Sequence, residues 1–173
     1  MNFIRASKND LGKIIAFYDR VIDQTADMEK YARWIKGLHP TVSGITAYLE
    51  EKAMYLLMDG ETVAGAMAVT MSQPAEYHPV EWGIGAKDEE VSVIHILGVN
   101  PDYQGKGLGK ALIDAAVRIA REEGKLACRL DALASNLPAH RMYESKGFAY
   151  RGTQRWYAEN TGWTDFFLYE YIL

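Results

Sequence analysis

One cysteine, Cys128, among 173 residues excludes an internal disulfide and a cysteine-based metal site. It stands in an apolar strand pattern, where a buried thiol without chemistry is expected. No stretch reaches the ~18 consecutive apolar residues that a membrane span needs. No apolar core follows the start Met1-Asn2-Phe3-Ile4-Arg5, so a secretory leader is not expected and a cytoplasmic protein is. Positive charge is also in short supply. Nineteen Lys and Arg against 23 Asp and Glu leave a formal net charge of −4, with no basic face for nucleic acid. Repeats, low-complexity segments and linkers are missing too, which leaves one domain over residues 1–173.

A chain of this length buries roughly 70% of its unfolded surface. Hydrophobic residues make up 49%, and four Trp with eleven Tyr are many for the length. Such residues join an apolar body to a polar tip and suit pockets and interfaces as well as cores. Residues 2–5 read as a short strand. Leu11, Ile14, Ile15, Tyr18, Val21 and Ile22 then recur at helical spacing over 9–24. A weaker helix is expected over 28–36, broken by His39-Pro40, and another runs to Glu51 with Ser43 as its cap.

The period then changes. Ala53–Met58 and Thr62–Met71 flank Asp59-Gly60 as a hairpin. Residues 73–82 read as an irregular loop. Val91–Val99 is apolar on both faces, hence central in its sheet. A helix from Leu108 ends at Gly124, followed by a strand over 125–130, a helix over 138–146, and strands over 148–158 and 163–172. Helices followed by a sheet with crossover helices predict an α/β or α+β domain.

Chemistry concentrates in Val99-Asn100-Pro101-Asp102-Tyr103-Gln104-Gly105-Lys106-Gly107-Leu108-Gly109-Lys110, where three glycines open a helix. Unpaired N–H groups and the helix dipole favour an anion there, and glycines let it approach the backbone. Lys106 and Lys110 add charge, and Gln104 adds an amide donor. A diphosphate fits; a turn chosen for flexibility or close packing is the simpler alternative. The spacing is not G-x-x-x-x-G-K-[ST], and G-x-G-x-G is not the dinucleotide fingerprint.

The run Gln104-Gly105-Lys106-Gly107-Leu108-Gly109, preceded by Val93–Val99 and followed by Asn136-Leu137-Pro138-Ala139-His140-Arg141-Met142-Tyr143-Glu144-Ser145-Lys146-Gly147-Phe148, resembles the GCN5-related N-acetyltransferases (GNAT). The resemblance is strong over 91–150 and looser in the N-terminal helices. It implies a mixed, mostly antiparallel sheet flanked by helices, with splayed central strands, as in acyl-coenzyme A N-acyltransferases. It implies acetyl-coenzyme A as cosubstrate and no metal. The pyrophosphate would lie on the backbone of Gln104, Gly105, Lys106, Gly107, Leu108, Gly109 and Lys110. The pantetheine arm would pair with Leu97 and Val99, Gly98 is the expected bulge, and Leu97 or Gly98 would face the thioester oxygen.

Direct transfer to an amine within a ternary complex is what the family implies. Tyr143 matches its general acid, and a phenol stays protonated at neutral pH; the alternative is a core tyrosine. Asn136 either caps its helix or binds the pantetheine arm. His95, whose strand parity groups it with Val93 and Leu97, and Glu81 are the candidate bases, with ordered water as the alternative. His39 and His78 read as solvated loop residues. Tyr31, Trp34, Tyr77, Trp82, Trp156 and Trp163 are available to line an acceptor slot, with Glu81 or Asp165 as acidic groups. Trp156 and Trp163 otherwise pair across the last hairpin, whose aromatics are the one hint of a dimer interface; monomer or homodimer stays open. A small-molecule amine is favoured over a protein N-terminus or lysine. A non-catalytic acyl-coenzyme A-binding module and a small nucleotide-binding domain are the alternatives of other classes.

Overall fold

Alternating and continuous apolar runs resolve into one seven-stranded sheet in a computed structural model that describes residues 1–173. In chain order the strands are β1 (Asn2–Arg5), β2 (Met54–Asp59), β3 (Thr62–Thr70), β4 (Val91–Val99), β5 (Ala127–Leu133), β6 (Ala149–Ala158) and β7 (Gly162–Ile172). Their spatial order is β1-β2-β3-β4-β5-β7-β6. Only β4 and β5 run parallel; the other neighbours are antiparallel. The parallel step needs a crossover, which α4 (Leu108–Glu122) supplies. The expected mixed, mostly antiparallel sheet with β4 at its centre is what the chain forms.

Two layers of helix cover this sheet. Ile14, Phe17, Tyr18 and Val21 of α1 (Leu11–Gln24), with Ile45 and Leu49 of α3 (Val42–Glu50), pack on Met54, Leu56 and Met58 of β2. Tyr55 and Leu57 of the same strand join Leu112, Ile113, Ala116 and Ala120 of α4 on the opposite face, with Tyr143 of α5 (Leu137–Ser145). Side chains alternate across a strand, so β2 reads as an unbroken apolar run because both its faces are buried. Leu112 and Ile113 are almost inaccessible, a burial that contributes about 1.5–3 kcal/mol for each such side chain. No helix is long and apolar enough to cross a membrane.

Several boundaries differ from the sequence reading. The helix expected over 28–36 is a single turn, α2 (Met28–Tyr31). Arg33 then enters the left-handed region at φ 54, which a helix cannot continue through. Thr41, not Ser43, caps α3, its Oγ1 accepting from the Gly44 N–H at 3.0 Å. β5 continues past Leu130 to Leu133.

The irregularity that matters most lies in β4. Ala66 opposes Gly98 and Ala68 opposes His95, so Met67 alone faces both Ile96 and Leu97. The bulge is therefore at Ile96–Leu97 and not at Gly98. Ile96 takes φ 45, an unusual conformation for a β-branched residue, and the Tyr18 hydroxyl donates to its carbonyl at 2.7 Å. The extra residue also reverses parity. Leu97 joins Ile94 on the α4 face, and Ile96 packs toward α1, so His95 does not share a face with Leu97 as alternation predicts. Beyond the bulge the parallel ladder is lost: β4 and β5 pair only over Val91–Val93 and Ala127–Arg129. The two strands splay, as the resemblance implies.

The loop between β3 and β4 is held by a buried charge network. Arg129 Nε and Nη2 donate to Glu170 Oε1 at 3.0 and 2.8 Å, and Nη1 donates to Gln73 Oε1 at 2.6 Å. Glu170 Oε2 also accepts from Arg151 Nε at 2.9 Å and from the Gly83 N–H at 2.7 Å. The Arg129 guanidinium lies 4.1 Å from the Trp82 ring centre. Side-chain exposures of 1% and 0% for Arg129 and Glu170 make loss of one partner costly, because the other charge stays buried. Arg129→Ala is expected to lower the unfolding free energy by about 3–5 kcal/mol, read from urea denaturation. A loss below about 1 kcal/mol, the range of surface pairs, would show that the network does not anchor the loop.

Candidate functional site

The splay of β4 from β5 opens a cavity of about 1030 Å³. One end is formed by the glycine run. Asn100, buried, accepts from the Asp102 N–H at 3.1 Å and donates to the Val63 carbonyl at 3.1 Å, pinning the chain as it leaves β4. A turn over Pro101–Tyr103 follows, and α4 begins after Gly107. Gly105 and Gly107 sit at φ 75 and 81 with open space where a Cβ would project, so conformation requires glycine at both. Gly109 differs: a Cβ there would lie 2.6 Å from Met142 Sδ, so this glycine lets α4 pack against α5.

The first N–H groups of α4 have no partner within the helix, and its dipole favours an anion beside them. Gln104, Gly105, Gly107, Leu108, Gly109 and Lys110 all line the cavity at this end. Lys106 does not: its Nζ donates to the Asp102 carbonyl at 2.9 Å and lies over the Tyr103 ring. Gln104 Nε2 is engaged with Thr25 Oγ1 and the Val99 carbonyl at 3.1 and 3.3 Å. Leu97, Gly98 and Val99 border the middle of the cavity.

α5 and β5 each contribute an acidic group to the cavity wall, Tyr143 and Asp131. Tyr143 lines the cavity. Burial first, then the charge of Asp131, pushes its phenol well above the ordinary value. Asn136 caps α5, its Oδ1 accepting from the Ala139 N–H at 3.4 Å, and also borders the cavity. Both roles considered for Asn136 are therefore compatible with its position.

Asp131 was absent from the sequence candidates. It lies in β5 beyond the expected strand end, accepts from the Tyr77 hydroxyl at 2.7 Å, and lines the cavity. Burial raises its carboxyl above the usual range, and the Tyr77 hydrogen bond acts in the opposite direction. The available signal was an ionisable residue inside Ala127-Cys128-Arg129-Leu130-Asp131-Ala132-Leu133, an otherwise mostly apolar strand.

His95 borders the same space, but its ring stacks on Tyr48 at 5.4 Å between centres and its Nε2 is 3.0 Å from Thr70 Oγ1. Burial first, then repulsion from His39, lowers its pKa to about 4, so it is uncharged at neutral pH. Glu81 is exposed on the loop and lies outside the cavity wall. His39 is not the solvated residue expected: it is half-buried on the cavity wall, and burial lowers its pKa. His78 is exposed and paired with Asp88 at 2.9 Å. Cys128 is buried as expected, its thiol pushed up to about 12 by burial.

Of the six aromatics considered for an acceptor slot, Tyr31 and Trp34 line the cavity, joined by Tyr48 and Phe166. Tyr77, Trp82 and Trp156 belong to another cluster. Trp156 packs on Phe166 and the exposed Trp163 on Tyr157, at 5.3 and 6.0 Å. The hairpin register opposes Tyr157 to Trp163, so Trp156 and Trp163 are not partners. Asp165 is bound to Arg155 at 3.1 Å and lies outside the cavity wall.

A family model described as "Acetyltransferase (GNAT) family" matches residues 10–148. A mycothiol acetyltransferase from Propionibacterium freudenreichii is 42% identical over 65 residues, 38% of this chain and 21% of that protein. Another from Nocardiopsis dassonvillei is 42% identical over 77 residues, 44% of this chain and 23% of that protein. The matched part thus spans about a fifth of the length of these curated relatives. A protein assigned as an acetyltransferase from Salmonella typhimurium, solved with its cofactor acetyl-CoA, superposes with TM-score 0.72 at 21% identity, covering 100% of this chain and 94% of that one. A ribosomal-protein-alanine N-acetyltransferase from Brucella melitensis gives TM-score 0.73 at 17% identity, with both chains covered in full. These two structures share the fold.

The lowered pKa of His95 has a consequence for stability. Between about pH 6.5 and pH 4 the unfolded chain takes up a proton at this side chain that the folded chain refuses. Stability present above the unfolded value is therefore lost as pH falls through this window. The shift corresponds to up to about 3 kcal/mol, and His39 acts in the same direction. Urea denaturation at about pH 7 and about pH 4.5 should show His95→Gln losing less stability on acidification than the parent protein. Equal losses in both would remove His95 as the cause.

Proposed function

The chain belongs to the acetyltransferase (GNAT) family, and from that premise we propose that it transfers the acetyl group of acetyl-coenzyme A directly to a primary amine of a small molecule. The observation that carries this reading is a single cavity lined both by an anion-binding helix start and by Tyr143 and Asp131. The residues present fit such a donor. Positive-φ glycines with no neighbour at their Cβ positions leave room for a diphosphate against the main chain of residues 104–110. Lys110 adds the positive charge, while the position of Lys106 supports no direct contact. The gap beside β4 offers main-chain groups at Leu97 and Val99 to an extended amide-bearing arm.

In this reading Asp131 takes the proton lost from the acceptor ammonium, either directly or through water. A carboxyl raised above its usual range is a better base than an exposed aspartate. The nitrogen–carbon bond forms as the carbon–sulfur bond breaks, and the N–H of Leu97 or Gly98 stabilises charge on the carbonyl oxygen. Tyr143 donates its proton to the departing sulfur, and the second proton on the attacking nitrogen returns the phenolate to the phenol. Its raised pKa keeps it protonated across the physiological range. His95 and Glu81 have weaker support as bases: the first is held uncharged with little affinity for a proton, and the second lies outside the cavity.

Saturating acetyl-coenzyme A is expected to raise the melting temperature, by the stabilisation that follows from preferential binding to the folded state; no shift would overturn the reading. Tyr143→Phe and Asp131→Asn should each lower kcat about 10-fold or more, measured as thiol release, with the dissociation constant for coenzyme A little changed. Gly107→Val should weaken coenzyme A binding instead. Full activity in Tyr143→Phe would remove its role as acid.

A further inference from the structure

Charge is distributed unevenly along the cavity, and this bears on the acceptor. We infer that the acceptor is a cationic amine on an aromatic or bulky apolar body, with no carboxylate beside the amine; this deepens the acetyl-transfer reading and rests on it. Trp34, Tyr31, Tyr48 and Phe166 give flat apolar faces to the same cavity as Asp131, and Tyr48 is near enough for the Asp131 charge to act on its phenol. Aromatic faces attract an ammonium as well as an apolar body, and a buried carboxylate gives that ammonium its counter-charge.

Nothing comparable awaits a carboxylate. Lys110 is the one Lys or Arg on the whole cavity wall, and it belongs to the glycine run at the start of α4. The two imidazoles, His39 and His95, have lowered pKa values and carry no charge at neutral pH. The one other acidic side chain on the wall, Asp27, offers a carboxylate no partner either. An α-carboxylate entering beside the amine would lose its hydration without a cationic partner and would approach Asp131 as a like charge. Like charges at about 5 Å in a protein environment correspond to roughly a 100-fold penalty. Discrimination here comes from charge, since a carboxylate and a carboxamide have nearly the same size.

Three compounds isolate that charge: phenethylamine, phenylalaninamide and phenylalanine. With saturating acetyl-coenzyme A, the first two should be acetylated with kcat/KM roughly 100-fold or more above the third. Asp131→Asn should lower all three rates while narrowing the ratio of amide to acid, a change that general damage to the fold would not produce. The proposal is overturned if phenylalanine matches the amide, or if the amide is as poor as the acid, which would make size the discriminating property. An enzyme that binds acetyl-coenzyme A in a thermal-shift assay yet acetylates none of the three overturns the acceptor class and leaves acetyl transfer standing. Failure to bind acetyl-coenzyme A overturns the reading beneath it.

Discussion

Ile96 occupies a left-handed conformation that costs a β-branched residue of the order of 1–3 kcal/mol. The rest of the site depends on that residue staying where it is. The buried Tyr18 hydroxyl holds its carbonyl, and the Ile96 side chain packs into the layer beneath α1. A net hydrogen-bond contribution of about 0.5–1.5 kcal/mol together with apolar burial offsets the strain. The bulge turns Leu97 toward α4 and sends β4 away from β5 just past Val93. A regular β4 would be free to continue its ladder and close the space between Leu97 and Asp131. The cavity is thus a consequence of one extra residue in a strand, fastened by α1, which also reaches the glycine run through Arg20 on Asp102 and Thr25 on Gln104.

That dependence explains what was readable beforehand. The glycine run and the helix carrying Tyr143 announce themselves locally, because positive φ, an unpaired helix start and helical periodicity each leave a mark over a few adjacent residues. The central position of β4 follows from its two apolar faces. The bulge leaves no such mark: glycine at position 98 draws attention, yet the deviant residue is an isoleucine held there by a tyrosine 78 residues away in sequence. His95 was assigned the wrong companions for the same reason, since alternation fails across an irregularity that the strand itself does not reveal. Asp131 was missed because β5 was read as ending at Leu130. Tyr77, Trp82 and Trp156 gather beneath the loop from 73 to 90, and Arg129 and Glu170 hold that loop through Gln73, Gly83 and Ile84 at long range.

The side chains around the proposed acceptor site share one tendency. Burial raises Asp131, Tyr143 and Tyr48 and lowers His95 and His39, so every one is biased toward its uncharged form. In the proposed reaction an arriving ammonium favours ionised Asp131, and removal of its proton restores a neutral carboxyl in a neutral pocket. In the proposed reaction the same apolar walls therefore act on both sides of the proton transfer. They discourage a stranded charge before the amine arrives and again after it has been consumed.

The glycine run has a further implication for how such a chain changes over time. Gly105 and Gly107 shape a surface made of peptide groups, so the neighbouring positions are free to vary in side chain without altering what the main chain presents. Lys106, turned onto Tyr103, illustrates that freedom. The proposed acceptor site is assembled from side chains on separate elements: Trp34 after α2, Tyr48 on α3, Asp131 on β5 and Phe166 on β7. Under the proposed reading, a population of descendants could explore new acceptors by single substitutions at those scattered positions while inheriting the donor grip unchanged. The two ends of one cavity would then drift at different speeds, with heredity conservative where recognition is written in the main chain and permissive where it is written in side chains.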